Sequence, residues 1–244
     1  MNQIKEYLKK YSTYHKDLLV AAKDELLPTS DLIEISKEIV VAERNDNDEH
    51  CNYIPLMILH LRANEDTLHK SLKLLESDSS IDRELGCKIL REFPRMDEHP
   101  TKFSLRIVNA MHTIIQKEKN EDVLLSALAT LANQGHPEGH KILLQMSSDP
   151  RDNVRYRVAY GLLYVFNDER KITEETAKAF LKFTKDSDED IRASIFYDIK
   201  EYPEMFSDYK SEFIAVAEYA KNDSSEDVRK YALSALEALL KTSF

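Results

Sequence analysis

The chain has 244 residues, enough to bury a sizeable core, and only four glycines and seven prolines punctuate it, which excludes a turn-rich β fold. Charged residues make up 32% and the common helix formers dominate, so long helices are favoured. With 34 Lys and Arg against 44 Asp and Glu, the formal charge of −10 excludes a general phosphate-backbone binder and suits a basic partner.

The first 64 residues read as helices by periodicity, roughly over 2–26, 30–43 and 50–62. Pro28 marks a break, and Pro55 fits a helix only within its first turn. Ile4, Leu8, Tyr11 and Leu18 form an apolar stripe, and Lys5, Lys9, Lys10, Lys16 and Lys23 with Glu6 and Asp17 form a solvated amphipathic face. The start lacks the apolar core of a signal peptide, and no stretch approaches the roughly 18 apolar residues of a membrane span, so a cytoplasmic protein is expected. Cys51 and Cys87 lack metal-ligand spacing and read as two incidental reduced thiols.

Further along, a repeat emerges. Asp186-Ser187-Asp188-Glu189-Asp190-Ile191-Arg192 and Asp223-Ser224-Ser225-Glu226-Asp227-Val228-Arg229 match at five of seven positions, 37 residues apart. Asp149-Pro150-Arg151-Asp152-Asn153-Val154-Arg155 lies 37 residues earlier, and Asn120-Glu121-Asp122-Val123 keeps the acidic cap with Leu124 in the arginine's place. A degenerate copy uses Arg83, which puts Arg91-Glu92-Phe93-Pro94 in register with Lys200-Glu201-Tyr202-Pro203. The anchors are then 82, 123, 154, 191 and 228. Each Asp/Ser/Asn run supplies oxygens and negative charge to the N-terminus of a helix. Apolar residues follow on one stripe, as in Val154, Val158 and Leu162, or Ile191, Ile195 and Ile199. A second amphipathic segment lies between anchors, for example over 173–185 and 209–221, so one repeat is two antiparallel helices.

A two-helix repeat of about 37 residues with Asp-Val-Arg opening its second helix resembles the HEAT repeat and its shorter bacterial relatives. The resemblance covers 65–241 and is clearest over 119–241; 1–64 reads as an N-terminal cap with divergent repeats. It implies an all-α superhelix of about six antiparallel helix pairs, forming one solenoid domain over 1–244. It also implies a ladder in which Arg155, Arg192 and Arg229 pair with Asp122, Asn153, Asp190 and Asp227, interrupted near the middle by Leu124 and Asn153.

Few residues are candidates for chemistry. His136-Pro137-Glu138-Gly139-His140 places two histidines four apart, a zinc-compatible separation, but Pro137 and Gly139 read better as a loop entering a helix. Deoxyhypusine hydroxylase, a HEAT-type enzyme, carries His-Glu pairs; here only Glu49-His50 and Glu98-His99 occur, in reversed order and away from the anchors. HEAT-like DNA alkylation-repair glycosylases resemble the chain in length, but their basic groove has no counterpart in an acidic protein without tryptophan.

What remains is a row of tyrosines. Tyr156, Tyr160 and Tyr164 recur every four residues on one helix face, and Tyr160 and Tyr197 take the same position in successive repeats, away from the apolar stripe. Two placements stay open, an exposed binding surface or packing between repeats. The expectation is therefore a protein without catalytic residues, metal or cofactor. It would bind a protein or peptide on an acid-rich, tyrosine-containing inner face, as in an inhibitor or immunity-type protein for a basic partner. The alternative is a HEAT-like DNA alkylation-repair glycosylase or its inactive relative.

Overall fold

The computed structural model describes residues 2–47, 49, 51–62, 64–93, 101–163 and 171–242. Tertiary contacts divide the chain into two compact units, 1–139 and 140–244. The described residues are helical throughout, with no strand among them.

In the first unit, α1 (Asn2–Leu8), α2 (His15–Ala22), α3 (Thr29–Arg44) and α4 (Ile54–Leu61) precede two helix pairs. These are α5 (Glu65–Leu74) with α6 (Ser80–Arg91), and α7 (Ser104–Lys117) with α8 (Glu121–Asn133). Pro28 stands immediately before α3 and Pro55 in the first turn of α4, the positions where a missing N–H costs nothing. The helix expected over 2–26 is instead broken in two. Asp24 gathers the hydroxyls of Tyr7 (2.8 Å) and Tyr11 and the Lys10 ammonium (3.3 Å), which folds the chain back. Within the break, the Ser12 hydroxyl donates to Asp17 (2.6 Å) and accepts from the Tyr14 N–H (3.2 Å), a local alternative to helical bonding. Arg62, just past α4, is buried and donates to the carbonyls of Ala22 (3.1 Å), Asp24 (3.2 Å) and Leu27 (2.6 Å), so it caps the end of α2. Leu8, Leu18, Leu32, Ile39, Ile58, Leu59, Leu85 and Ile89 meet in the core.

Helices α6 and α8 stack on one another through a polar core bridge. Gln134, fully buried, donates to the carbonyls of Leu90 (2.8 Å) and Phe93 (3.0 Å) and accepts from the Ser104 hydroxyl (2.8 Å). After α8 the chain turns at Gly135, whose φ of 57° is the left-handed conformation that closes a helix.

Helix α9 (Pro137–Met146) begins at the unit boundary. The second unit continues with α10 (Asp152–Leu163), α11 (Glu174–Phe183), α12 (Glu189–Glu201), a 3-10 helix (Pro203–Tyr209), α13 (Lys210–Ala220) and α14 (Glu226–Lys241). Its core holds Val154, Val158, Leu162, Ile191, Ile195 and Val228 with a cluster of phenylalanines. Phe206 packs between Phe180 (centroids 5.8 Å apart) and Phe213 (4.9 Å).

All five anchors open a helix. The helices at 82, 123, 154, 191 and 228 start at Ser80, Glu121, Asp152, Glu189 and Glu226, two residues before the anchor each time. The runs cap α8 and α12 as their chemistry requires: Asn120 accepts from the Val123 N–H (3.2 Å) and Asp188 from the Ile191 N–H (3.0 Å), whereas Ser225, before α14, makes no side-chain cap bond. Glu98-His99 and His50 lie outside the described residues.

Candidate functional site

The arginine of each anchor has two edges, and both are used. Arg155 Nη1 donates to the carbonyls of Asp149 (3.0 Å) and Pro150 (3.1 Å), six and five residues back. Its Nε and Nη2 grip both oxygens of Asp186, one repeat on, at 2.8 and 2.7 Å. Arg192 repeats this with Asp186 and Ser187 carbonyls behind it and Asp223 ahead at 2.9 and 2.7 Å. Arg83 does the same with Ser77, Asp78 and Glu118 at 2.7 and 3.0 Å, so the degenerate copy occupies the expected register. Arg229 keeps only the backward edge, to the carbonyls of Asp223 (2.7 Å) and Ser224 (2.9 Å).

The pairing corrects the expected ladder. The partners are the first residues of the heptads, Asp186 and Asp223, and not Asn153, Asp190 or Asp227. Those residues stand two places before the arginines, about 200° round a helix of 3.6 residues per turn, and so face away from them. Asp122 lies near Arg44 instead (3.4 Å). Where the arginine position holds Leu124, the following heptad's Asp149 is held by Arg151 from its own loop, at 2.8 and 2.9 Å.

These bonds set the protonation of the carboxyls. The arginines hold Glu118, Asp149 and Asp223 below the ordinary carboxylate range, against burial. For Asp186 burial pushes upward most strongly, yet the Arg155 bonds and the Asp188 N–H together hold it low. Groups depressed in the fold contribute stability above their unfolded pKa of about 4 and lose it as pH falls below that. The ladder's contribution to the unfolding midpoint in urea is therefore expected to be level from pH 7 to 5 and to drop steeply below about pH 4. Asp223→Asn should lose less between those limits than the wild type, and an equal loss would contradict the ladder's role.

Asp190 and Asp227, released from the ladder, face a groove of about 490 Å³ across α10, α12 and α14. Asp152 and Asp188 add two more carboxylates, and Tyr156, Tyr197 and Tyr231 supply its aromatic lining. Tyr197 and Tyr231 meet edge to face with centroids 5.5 Å apart. Asp152 and Asp188 also accept backbone N–H bonds at helix starts. Asp190 and Asp227 are exposed, hold equivalent places 37 residues apart, and have no ion-pair partner among the described residues. Two cations lie at the rim: Lys200 is 5.1 Å from the Tyr197 ring centre, and Lys230 is 5.4 Å from that of Tyr231.

Of the tyrosines read from the sequence, Tyr156 and Tyr197 line this groove and are nearly half exposed. Tyr160 is equally exposed but is not part of the lining, and Tyr164 lies outside the described residues. Sequence reasoning missed Tyr231, Asp152 and Asp188. The signal existed for Tyr231: it stands three residues after its anchor, the place that Ser194 fills in the preceding repeat.

The histidines of 136–140 separate. His140 is buried with Nε2 2.8 Å from the Thr176 hydroxyl, and burial holds its pKa below the usual value. His136 accepts the Glu138 N–H at 3.2 Å through Nδ1. Among the described residues no group of three His, Cys, Asp or Glu is placed to hold a metal ion, and no helix is long and apolar enough to cross a membrane.

Comparison with known proteins places the architecture. No family model and no curated protein matches the chain. Among solved structures, YibA of Escherichia coli is similar with a TM-score of 0.61 at 17% identity, over 94% of this chain and 78% of that one. An engineered protein is similar at 0.53 and 16% identity, over 98% and 97% of the two chains. A designed armadillo repeat protein, solved with the peptide (KR)4, is similar at 0.50 and 14% identity, over 86% and 99%. The chain has an armadillo-like helical-repeat fold. At these identities the likeness concerns the fold alone.

Proposed function

We propose that this helical-repeat protein is a HEAT-type binding module without catalytic activity, whose groove over α10, α12 and α14 holds a lysine- or arginine-bearing segment of a protein partner. The observation that carries the reading is the pair of exposed, unpaired, repeat-equivalent carboxylates Asp190 and Asp227 beside the tyrosine lining. Carboxylates attract the cationic head groups, and the rigid phenol rings offer contact area to their aliphatic stems at low entropic cost. The designed armadillo repeat protein of similar fold was solved with a peptide of that composition, (KR)4. An acidic groove repels a phosphodiester backbone, which disfavours the glycosylase alternative. One concrete form of the reading is an inhibitor that masks the basic surface of an enzyme such as a nuclease.

Titration of labelled (Lys-Arg)4 and an acidic control peptide, followed by fluorescence anisotropy, tests it. The basic peptide is expected to bind, and more weakly as salt rises. Asp190→Asn with Asp227→Asn removes two exposed charges worth about 0.5–1 kcal/mol each, so binding should weaken about tenfold with the melting temperature unchanged. Absence of binding at low salt, or binding indifferent to the double substitution, would overturn the assignment.

A further inference from the structure

The first unit holds an arginine at the positions that line the groove in the second. Arg44, the last residue of α3, lays its guanidinium across the N-terminal turns of α6 and α8, which stack on one another. Its Nε donates to Glu84 (2.7 Å), its Nη1 to the Ser80 hydroxyl (3.0 Å) and its Nη2 to the Asn120 amide oxygen (3.4 Å). Asp122 stands 3.4 Å from the Nε. Counted from the anchors, these residues lie two before and two after 82, and three and one before 123. Helices α10 and α12 also stack, and the same count from 154 and 191 gives Asp152, Tyr156, Asp188 and Asp190. All four line the groove. The ladder fixes this register: Arg83 and Arg155 each follow their anchor by one and grip the carboxylate five before the next anchor.

The two sets differ in charge. Around Arg44 the carboxylates are Glu84 and Asp122. In the groove they are Asp152, Asp188 and Asp190, and none of the three forms an ion pair among the described residues. Arg155 acts on Asp152 and Asp188 through its charge, but its nitrogens are all bonded to Asp186 and to the carbonyls behind it. Its counterpart Arg83 is committed in the same way in the first unit, where Arg44 is held nonetheless. Capping is no obstacle either. Asn120 accepts the Val123 N–H and Arg44 on one oxygen, and Asp188 caps α12 from the equivalent place. Three nitrogens of one rigid plane reach three residues on two helices, which the single nitrogen of a lysine cannot do. Tyr156, standing where Glu84 does, offers a ring on which a planar guanidinium stacks.

We infer that the groove over α10 and α12 takes an arginine side chain of the partner, its guanidinium held by Asp152, Asp188 and Asp190 as Arg44 is held in the first unit. This arginine specificity rests on the basic-segment reading above and narrows it from either cation to one.

Labelled octa-arginine and octa-lysine peptides, titrated against the full chain by fluorescence anisotropy at the same salt, test it. Their charges are equal, so long-range attraction acts on both alike. Octa-arginine is expected to bind about tenfold more tightly. Asp188→Asn with Asp190→Asn should erase that preference and leave the melting temperature in place, since asparagine caps a helix as well as aspartate does. Asp227→Asn, outside the set of four, should weaken both peptides and leave their ratio standing. Equal binding of the two peptides, or a preference that survives the Asp188/Asp190 double substitution, would overturn the arginine site. If both peptides then still depend on Asp190 and Asp227, the broader basic-segment reading stands without it. Binding of neither peptide at low salt would remove both.

Discussion

Truncation of Phe206 to alanine is expected to lower the free energy of unfolding by about 4 kcal/mol, within the 3–5 kcal/mol found for buried phenylalanines. The ring is fully buried in the short 3-10 helix between α12 and α13, and it touches the rings of Phe180 and Phe213. No neighbouring backbone can collapse into the space, because α12, α13 and α14 all bear on that segment and hold it open. The cost is then the lost transfer energy of the ring, plus the cavity, plus two aromatic contacts. Urea unfolding followed by circular dichroism measures it, and a loss below about 1.5 kcal/mol would show that the segment relaxes. Tyr219→Ala is the internal contrast: that ring is 80% exposed, and its removal should change stability by less than about 0.5 kcal/mol.

Arg192→Leu should cost about 3 kcal/mol in the same experiment, typical of breaking a mostly buried pair from one side. Four hydrogen bonds disappear, and the Asp223 carboxylate is left without its counter-ion in a site largely shielded from water. Arg192→Lys should not restore the loss, because an ammonium cannot bond both carboxylate oxygens and two carbonyls in one plane. Arg229→Leu should cost only about 1 kcal/mol, since that arginine caps two carbonyls and holds no carboxylate. Equal losses at 192 and 229 would refute the two-edged role of the ladder. The substitution also bears on function: α12 and α14 carry Tyr197 and Tyr231, so loosening the link between them should weaken the basic peptide as well.

Much of the candidate site was legible in the amino-acid pattern. Tyr156 and Tyr197 stood off the apolar stripe, and both line the groove. The acidic residues were legible too, but in the wrong role. Asp190 and Asp227 read as ladder partners because they sit beside the arginines in sequence, whereas side-chain direction sends them to the groove and hands the ladder to Asp186 and Asp223. Removing those two from the ladder is what left them unpaired, and unpaired carboxylates are what make the groove acidic.

Helical class, the five anchors and their helix starts were determined by the sequence alone. Caps, apolar stripes and proline positions act through neighbours one to four residues apart, and such interactions can be counted along a chain. Tertiary structure alone decided the rest. It broke the first helix at Ser12, because Asp24 collects three partners from α1 and the segment that follows it. It chose which aspartate each arginine grips, and it brought Tyr231 against Tyr197 from helices 34 residues apart. Those outcomes depend on the angle of each side chain round its helix and on which helix stacks next to it, and periodicity along the chain does not state the second of these.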